Sequence, residues 1–321
     1  MILTRVAGKR PLRAFLSFLN EIIVNDFKVC YNGGMVRVKA YAKLNFTLDI
    51  TGASGGYHCL DSLVCTVDIY DLIKLKKRKD SLVTVEMHGQ NTETLPYESN
   101  NAARAAEAYI RTFGTNGADI TIYKNIPVGA GMGGSSADIA GVIRGLSRLY
   151  GQGSEAQLKQ LADSLGSDTG YLLRGGWARL TGRGEKVESL DISAVLHPLL
   201  LLPREGVSTA ECYRLYDANP NFSACTQSAL DRLICGDYAG FARLTSNSLY
   251  APACALNPLV GEAFKELEDF SPSGVCMTGS GSGVFALFET RELRDWAASR
   301  YRGKHKIIKL KTYIPKGEKN G

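Results

Sequence analysis

Residues 127–138, Pro-Val-Gly-Ala-Gly-Met-Gly-Gly-Ser-Ser-Ala-Asp, limit the folds open to this chain more than any other stretch. Before them, the residues from Ala118 to Tyr123 read as a strand. After them, Ile139, Val142, Ile143, Leu146 and Leu149 recur at helical spacing. The glycines therefore join a strand to the start of an amphipathic helix. Such an end presents unpaired N–H groups and the positive pole of the helix dipole. Glycine lets the backbone approach a ligand closely and take positive φ. Two readings follow. One is a phosphate cradle; the other is a tight turn closed by a capping box from Ser135 to Asp138.

Two familiar phosphate motifs can be tested against this loop. The Walker A pattern ends in Gly-Lys-Ser/Thr, which the chain lacks. The dinucleotide fingerprint is formally met by Gly129, Gly131 and Gly134. It also needs an acidic residue ending a strand about 20 residues on. The nearest, Glu155, lies in Gly-Gln-Gly-Ser-Glu-Ala, which reads as a helix start. A third kind of loop is left.

A length of 321 residues allows two domains, and 45% apolar with 22% charged residues is ordinary for a globular protein. No apolar run approaches membrane-spanning length. Much of the net charge of +6 sits in residues 301–321, and a second basic run covers 74–79. Both read as solvated faces, and no nucleic-acid motif accompanies them. Eight cysteines without a Cys-x-x-Cys pair suggest reduced, buried thiols in a cytoplasmic protein. The four histidines show no metal-ligand spacing.

Residues 1–34 read as an extension outside the fold, and Met35 as a second candidate translation start. Val36, Val38, Ala40, Ala42, Leu44, Phe46, Leu48 and Ile50 alternate with polar residues. That predicts one long half-buried strand. A glycine turn over 52–58 follows, then strands near 62–75 and 81–88 and a helix over 99–113. A helix fits 158–165, and a strand returns at 175–180. The pattern resets at 190–205, giving expected domains of 35–190 and 191–321. Beyond it, 195–202 reads as a buried strand. Helices fit 209–217, 226–235, 237–250 and 257–269. Strands flank the glycine-rich segment 278–283, and 306–313 closes the chain. The mixture predicts α+β.

Three elements now stand in order: Ala42-Lys-Leu-Asn45, the 127–138 loop, and Gly279-Ser-Gly-Ser-Gly283. This order resembles the GHMP kinase superfamily. Lys39-Ala-Tyr-Ala-Lys-Leu-Asn-Phe-Thr-Leu48, Gly56-Tyr-His58, Gly182-Arg-Gly-Glu185, Val207-Ser-Thr-Ala-Glu211 and Thr278-Gly-Ser-Gly281 extend the likeness over about 35–290. They are most similar to the branch acting on 4-diphosphocytidyl-2-C-methyl-D-erythritol. The resemblance implies an N-terminal domain like the second domain of a ribosomal small-subunit protein, and a ferredoxin-like C-terminal domain. It also implies transfer of the ATP γ-phosphate to the substrate's 2-hydroxyl in the non-mevalonate isoprenoid pathway. Other acceptors (mevalonate, homoserine, a sugar) and a non-catalytic nucleotide-binding paralogue are the alternatives.

On its own residues, Asp168 in Leu165-Gly-Ser-Asp-Thr-Gly170 reads as a turn residue or helix cap, and Lys43 as a solvated strand lysine. The resemblance makes them a catalytic pair. It assigns the nucleotide to Pro127, Val128, Gly129, Ala130, Gly131, Met132, Gly133, Gly134, Ser135, Ser136, Ala137 and Asn100. It assigns Asn45, Tyr57, His58, Tyr213 and Arg214 to the substrate, with Tyr213 and Arg214 across the cytosine from Tyr57 and His58. Asp138 beside phosphates calls for a cation, hence Mg²⁺ with Ser136 as a ligand. The implied partners are ATP, Mg²⁺ and a cytidine diphosphate substrate, with a monomer or homodimer and neither nucleic acid nor membrane. Gly170 and Ser282-Gly283 stand where the family usually has Pro and Pro-Thr, so both loops are expected to be less rigid.

Overall fold

The computed structural model describes residues 34–89, 100–222 and 224–315. Most of the proposed 1–34 extension and the last six residues of the basic tail lie outside them. The predicted long strand forms, but it breaks at Phe46 into β1 (Met35–Asn45) and β2 (Thr47–Ser54). Both pair antiparallel with β3 (Tyr57–Lys77), which turns back from β2 at Gly55 and Gly56. The register of β1 on β3 slips between Tyr41, which faces Tyr70, and Lys43, which faces Thr66. Such an irregularity re-aims the strand locally.

This strand pair is not half-buried as its alternation predicts. Val36 to Ile50 on one face are buried, and so are Lys43, Asn45, Thr47 and Asp49 on the other. The polar face is covered by the glycine loop, by Thr278 and by Thr226. Asp49, 1% exposed, accepts from the N–H groups of Cys225 and Thr226 at 2.9 and 2.8 Å. Polar residues there meet the rest of the protein instead of water.

After β4 (Thr84–His88), helix α1 (Asn101–Phe113) and β5 (Ala118–Tyr123), the glycine loop leads into α2 (Gly134–Tyr150). Gly141 and Gly145 let α2 press onto the sheet. A Cβ on them would lie 2.6 Å from Ile73 Cδ1 and 2.3 Å from Leu75 Cδ1. Helix depth, and so the height of its N-terminus, is set by that contact. Helices α3 (Glu155–Leu165) and α4 (Thr169–Arg174) precede β6 (Trp177–Gly182) and β7 (Lys186–Ser189). Helix α4 and β7 have no counterpart in the sequence reading, because each is too short for a period to register.

The second sheet is antiparallel, in the order β10 (Gly274–Met277), β11 (Val284–Leu287), β8 (Leu199–Leu202), β12 (Lys306–Lys309). Strand β8 is shorter than predicted: Val195 is exposed and the regular ladder covers the four leucines, while the Pro198 and Leu196 carbonyls still accept from Leu310 and Thr312 N–H. The C-terminal half also carries α5 (Thr209–Ala218), α6 (Thr226–Ile234), which packs on β2 and β3, α7 (Tyr238–Arg243), α8 (Tyr250–Leu256), α9 (Pro258–Glu268) and α10 (Arg291–Arg300). The helix expected over 237–250 is broken. Its middle, β9 (Ser246–Asn247), runs parallel to Thr47 and Leu48 of β2. Phe46 sits where the layers meet, its ring 4.9 Å from Trp177, 5.6 Å from Phe241 and 5.3 Å from Phe285. Three of the described cysteines are buried, but Cys235 is exposed, contrary to expectation. No described helix is long and apolar enough to cross a membrane.

Candidate active site

The glycine loop runs over the edge of β1. Gly129, Gly131 and Gly133 take φ of 71°, 71° and 72°, the left-handed region that favours glycine. At Gly131 a Cβ would also meet the Thr278 carbonyl oxygen at 2.0 Å. The loop interlocks with residues 278–283. Ser282 N–H donates to the Gly129 carbonyl (3.0 Å), Gly283 N–H to Ala130 (3.3 Å) and the Thr278 hydroxyl to Gly131 (3.3 Å). These bonds pin the Ser282-Gly283 segment, which was expected to be loose. Gly283 admits the Ala130 carbonyl where a side chain would crowd it.

Gly133 is the N-cap of α2, and no side chain caps the helix. The capping box from Ser135 to Asp138 is therefore absent. Ser135 accepts from the amide of Asn101, and Asp138 lies one turn inside the helix, paired with Lys124 at 2.6 Å. Lys124, which no sequence pattern marks, is thus the cation that Asp138 needed. The argument for a metal from that carboxylate falls. Burial pushes the Asp138 carboxyl above its usual range, against the pull of Lys124. Asn100 is spent as the N-cap of α1, accepting from Ala102 and Ala103 N–H. Its neighbour Asn101 is the residue that reaches the loop.

Lys43 is 4% exposed, not solvated. A Cβ on Gly133 would sit 3.3 Å from its Cε, so the lysine runs directly beneath the loop. Its ammonium donates to Asn45 Oδ1 and lies 3.5 Å from Asp168 Oδ2. Asn45 is held in turn by donation to Ser62 (2.8 Å), which donates to the Thr47 carbonyl. Asp168 occupies the N-cap position of α4, but its side chain makes no capping bond. The carboxylate is left for Lys43 and for solvent, with its side chain 28% exposed. Gly170 leaves room for a neighbouring carboxylate: a Cβ there would lie 1.9 Å from Asp163 Oδ1.

A third group lies between the β2–β3 hairpin and α5. His58 stacks on Tyr213 (4.7 Å, 25°), meets Tyr216 edge-on (6.0 Å) and bonds Asp217 through Nε2 at 2.6 Å. With His58 against Tyr213 there is no gap between these two rings for a base. The exposed ring of Tyr57 carries the Arg183 guanidinium at 4.7 Å. Arg214 turns away to Glu211 (2.8 Å). Burial pushes the Tyr213 hydroxyl up to about 12. Among the described residues no group of His, Cys, Asp and Glu could hold a metal by itself.

The pattern of the GHMP kinases N terminal domain matches residues 100–178, and that of the GHMP kinases C terminal region matches 226–306. A protein of Desulfitobacterium hafniense (strain Y51) named 4-diphosphocytidyl-2-C-methyl-D-erythritol kinase is 35% identical over 272 residues, 83% of this chain and 92% of its own. Another of that name, from Pelotomaculum thermopropionicum, is 34% identical over 88% of this chain and 99% of its own. A crystal structure of 4-(cytidine 5'-diphospho)-2C-methyl-D-erythritol kinase superposes with a TM-score of 0.70 at 29% identity, covering 85% and 98% of the two chains. The α+β fold, the loop over Lys43 and this likeness across most of the chain agree: the chain belongs to the GHMP kinase family, in the branch of the 4-diphosphocytidyl-2-C-methyl-D-erythritol kinases.

Proposed function

We propose that this enzyme transfers the γ-phosphate of ATP to the 2-hydroxyl of 4-diphosphocytidyl-2-C-methyl-D-erythritol. The observation that carries the reading is the place of Lys43, between the underside of the glycine loop and the Asp168 carboxylate. A phosphoryl donor held at the N-terminus of α2 and a hydroxyl held at Asp168 would meet on either side of one buried ammonium. Phosphoryl transfer asks for alignment and charge neutralisation more than for a strong base. Asp168 accepts the hydroxyl's hydrogen bond and takes its proton as the new O–P bond forms and the bond from the γ-phosphorus to the β–γ bridging oxygen breaks, with ADP as the leaving group. Lys43, aimed by Asn45 and Ser62, neutralises charge on the transferring group. The loop N–H groups hold the phosphates.

Mg²⁺ would enter this site as a companion of the nucleotide, held mainly by phosphates and water. The Ser136 hydroxyl in the first turn of α2 is the protein oxygen we assign to it, and the chemistry it would supply is neutralisation of phosphate charge. The cytosine is assigned to Tyr57, His58 and Tyr213, with Arg214 turned to Glu211. Entry of a base between His58 and Tyr213 would require these two stacked rings to part.

The test is ATP consumption with Mg²⁺ and the cytidine substrate, beside mevalonate and homoserine. Turnover with the cytidine substrate alone supports the reading. Turnover with another acceptor, or none despite ATP binding, overturns it.

A further inference from the structure

Lys124 follows β5 directly and runs, 8% exposed, beneath the N-terminus of α2. Its ammonium pairs with two buried carboxylates, Asp71 on β3 and Asp138 on α2. The other oxygen of Asp71 accepts from the backbone N–H groups of Asn125 (2.6 Å) and Ile126 (2.8 Å). A Cβ on Gly134 would lie 3.8 Å from the Lys124 ammonium and 3.1 Å from Ile126 Cγ2. The chain entering the glycine loop and the helix leaving it are thus both tied to β3 through one side chain. Asp71 pairs in register with Ala40, on the strand that carries Lys43.

This trio is costly as a stabiliser. Two carboxylates share one ammonium out of water, and Asp138 Oδ1 has no hydrogen-bond partner among the described residues. Buried ionic groups are often matched in stability by apolar residues of the same volume, and fixing a geometry is their best-attested use. The geometry fixed here is the separation between loop entry and helix N–H groups.

We propose that Lys124 is a positioning residue for phosphate binding, acting through Asp71 and Asp138. This rests on the reading of residues 127–136 as the ATP phosphate site. The full-length protein is tested as wild type, Lys124→Gln and Asp138→Asn. Dissociation constants for ATP and for adenosine are measured by competition against a fluorescent ATP analogue, and thermal midpoints are recorded. Loss of loop alignment weakens ATP by about tenfold or more in Lys124→Gln, by the general cost of misplacing a binding group, and leaves adenosine within about twofold. Asp138→Asn shifts ATP in the same direction by a smaller factor, and it decides the matter if Lys124→Gln does not fold. A merely structural ion pair lowers the thermal midpoint and leaves the ATP-to-adenosine ratio of the folded variants at the wild-type value, which would overturn the proposal. Wild type that binds adenosine as tightly as ATP would instead remove the phosphate-site reading beneath it.

Discussion

Replacing Asp168 by Asn removes one charge and almost no volume. The Lys43 ammonium lies 3.5 Å from the carboxylate. At an effective dielectric constant near 20 that pair is worth at most about 5 kcal/mol, and partial exposure of Asp168 lowers it. Loss of the proton acceptor alone costs about 10²- to 10⁴-fold. Together these set an expected fall in kcat of at least about a hundredfold, each tenfold being about 1.4 kcal/mol. ATP affinity should stay within about threefold, because the loop is held by residues 278–283 and not by Asp168. The thermal midpoint should fall, since Lys43, 4% exposed, loses its counter-charge, but the variant should stay folded because the Asp168 side chain makes no capping bond to α4. Steady-state kinetics, equilibrium ATP binding and a melting curve on the same preparation read all three. A variant with kcat within tenfold of wild type, or one that folds but no longer binds ATP, would refute the reasoning.

Other consequences are as direct. Gly131→Ala drives a Cβ into the Thr278 carbonyl and strains a positive φ; we expect KM for ATP to rise at least about tenfold, and unchanged nucleotide kinetics would contradict the interlock. Phe46→Ala empties the junction of Trp177, Phe241 and Phe285 and should cost about 3–5 kcal/mol in denaturant unfolding; a loss under about 1 kcal/mol would mean the layers do not meet there. His197 and His305 are held below the usual histidine range chiefly by burial. The unfolded chain therefore takes up more protons on acidification, so their stabilisation is full above about pH 6.5 and lost as pH falls through the folded values. Denaturation midpoints of wild type and His305→Gln, compared at about pH 7.5 and 5, should show a shallower pH dependence in the variant; equal slopes exclude His305 as a contributor.

The loop was the most legible part of this chain. Its glycines need positive φ or close approach, its strand and helix show clean periods, and both elements form where the pattern puts them. The polar face of the first strand was misread as solvated. Periodicity reports alternation along one strand and carries nothing about what later covers it, here Thr278 and Thr226 from far along the chain. The pairing of Lys43 with Asp168 came from the order of motifs, since neither residue's own neighbourhood distinguishes it. Lys124, Asn101 and Asp217 were missed for a related reason. Each gains its meaning from a partner distant in sequence, and only Asp138, a carboxylate beside an anion site, hinted that a cation was owed. The broken helix at Ser246 follows the same rule, because pairing with Thr47 overrides local helical preference.

The central claim is that a phosphate moves from ATP to one hydroxyl across the Lys43–Asp168 pair. The most direct measurement is phosphorus NMR of the reaction with Mg²⁺, ATP and 4-diphosphocytidyl-2-C-methyl-D-erythritol, for wild type and Asp168→Asn. Wild type should give one new phosphomonoester on the 2-hydroxyl for each ADP formed, with the substrate's diphosphate intact, and the variant should give essentially none. ADP with inorganic phosphate alone, or a phosphomonoester formed equally by both proteins, would contradict the account.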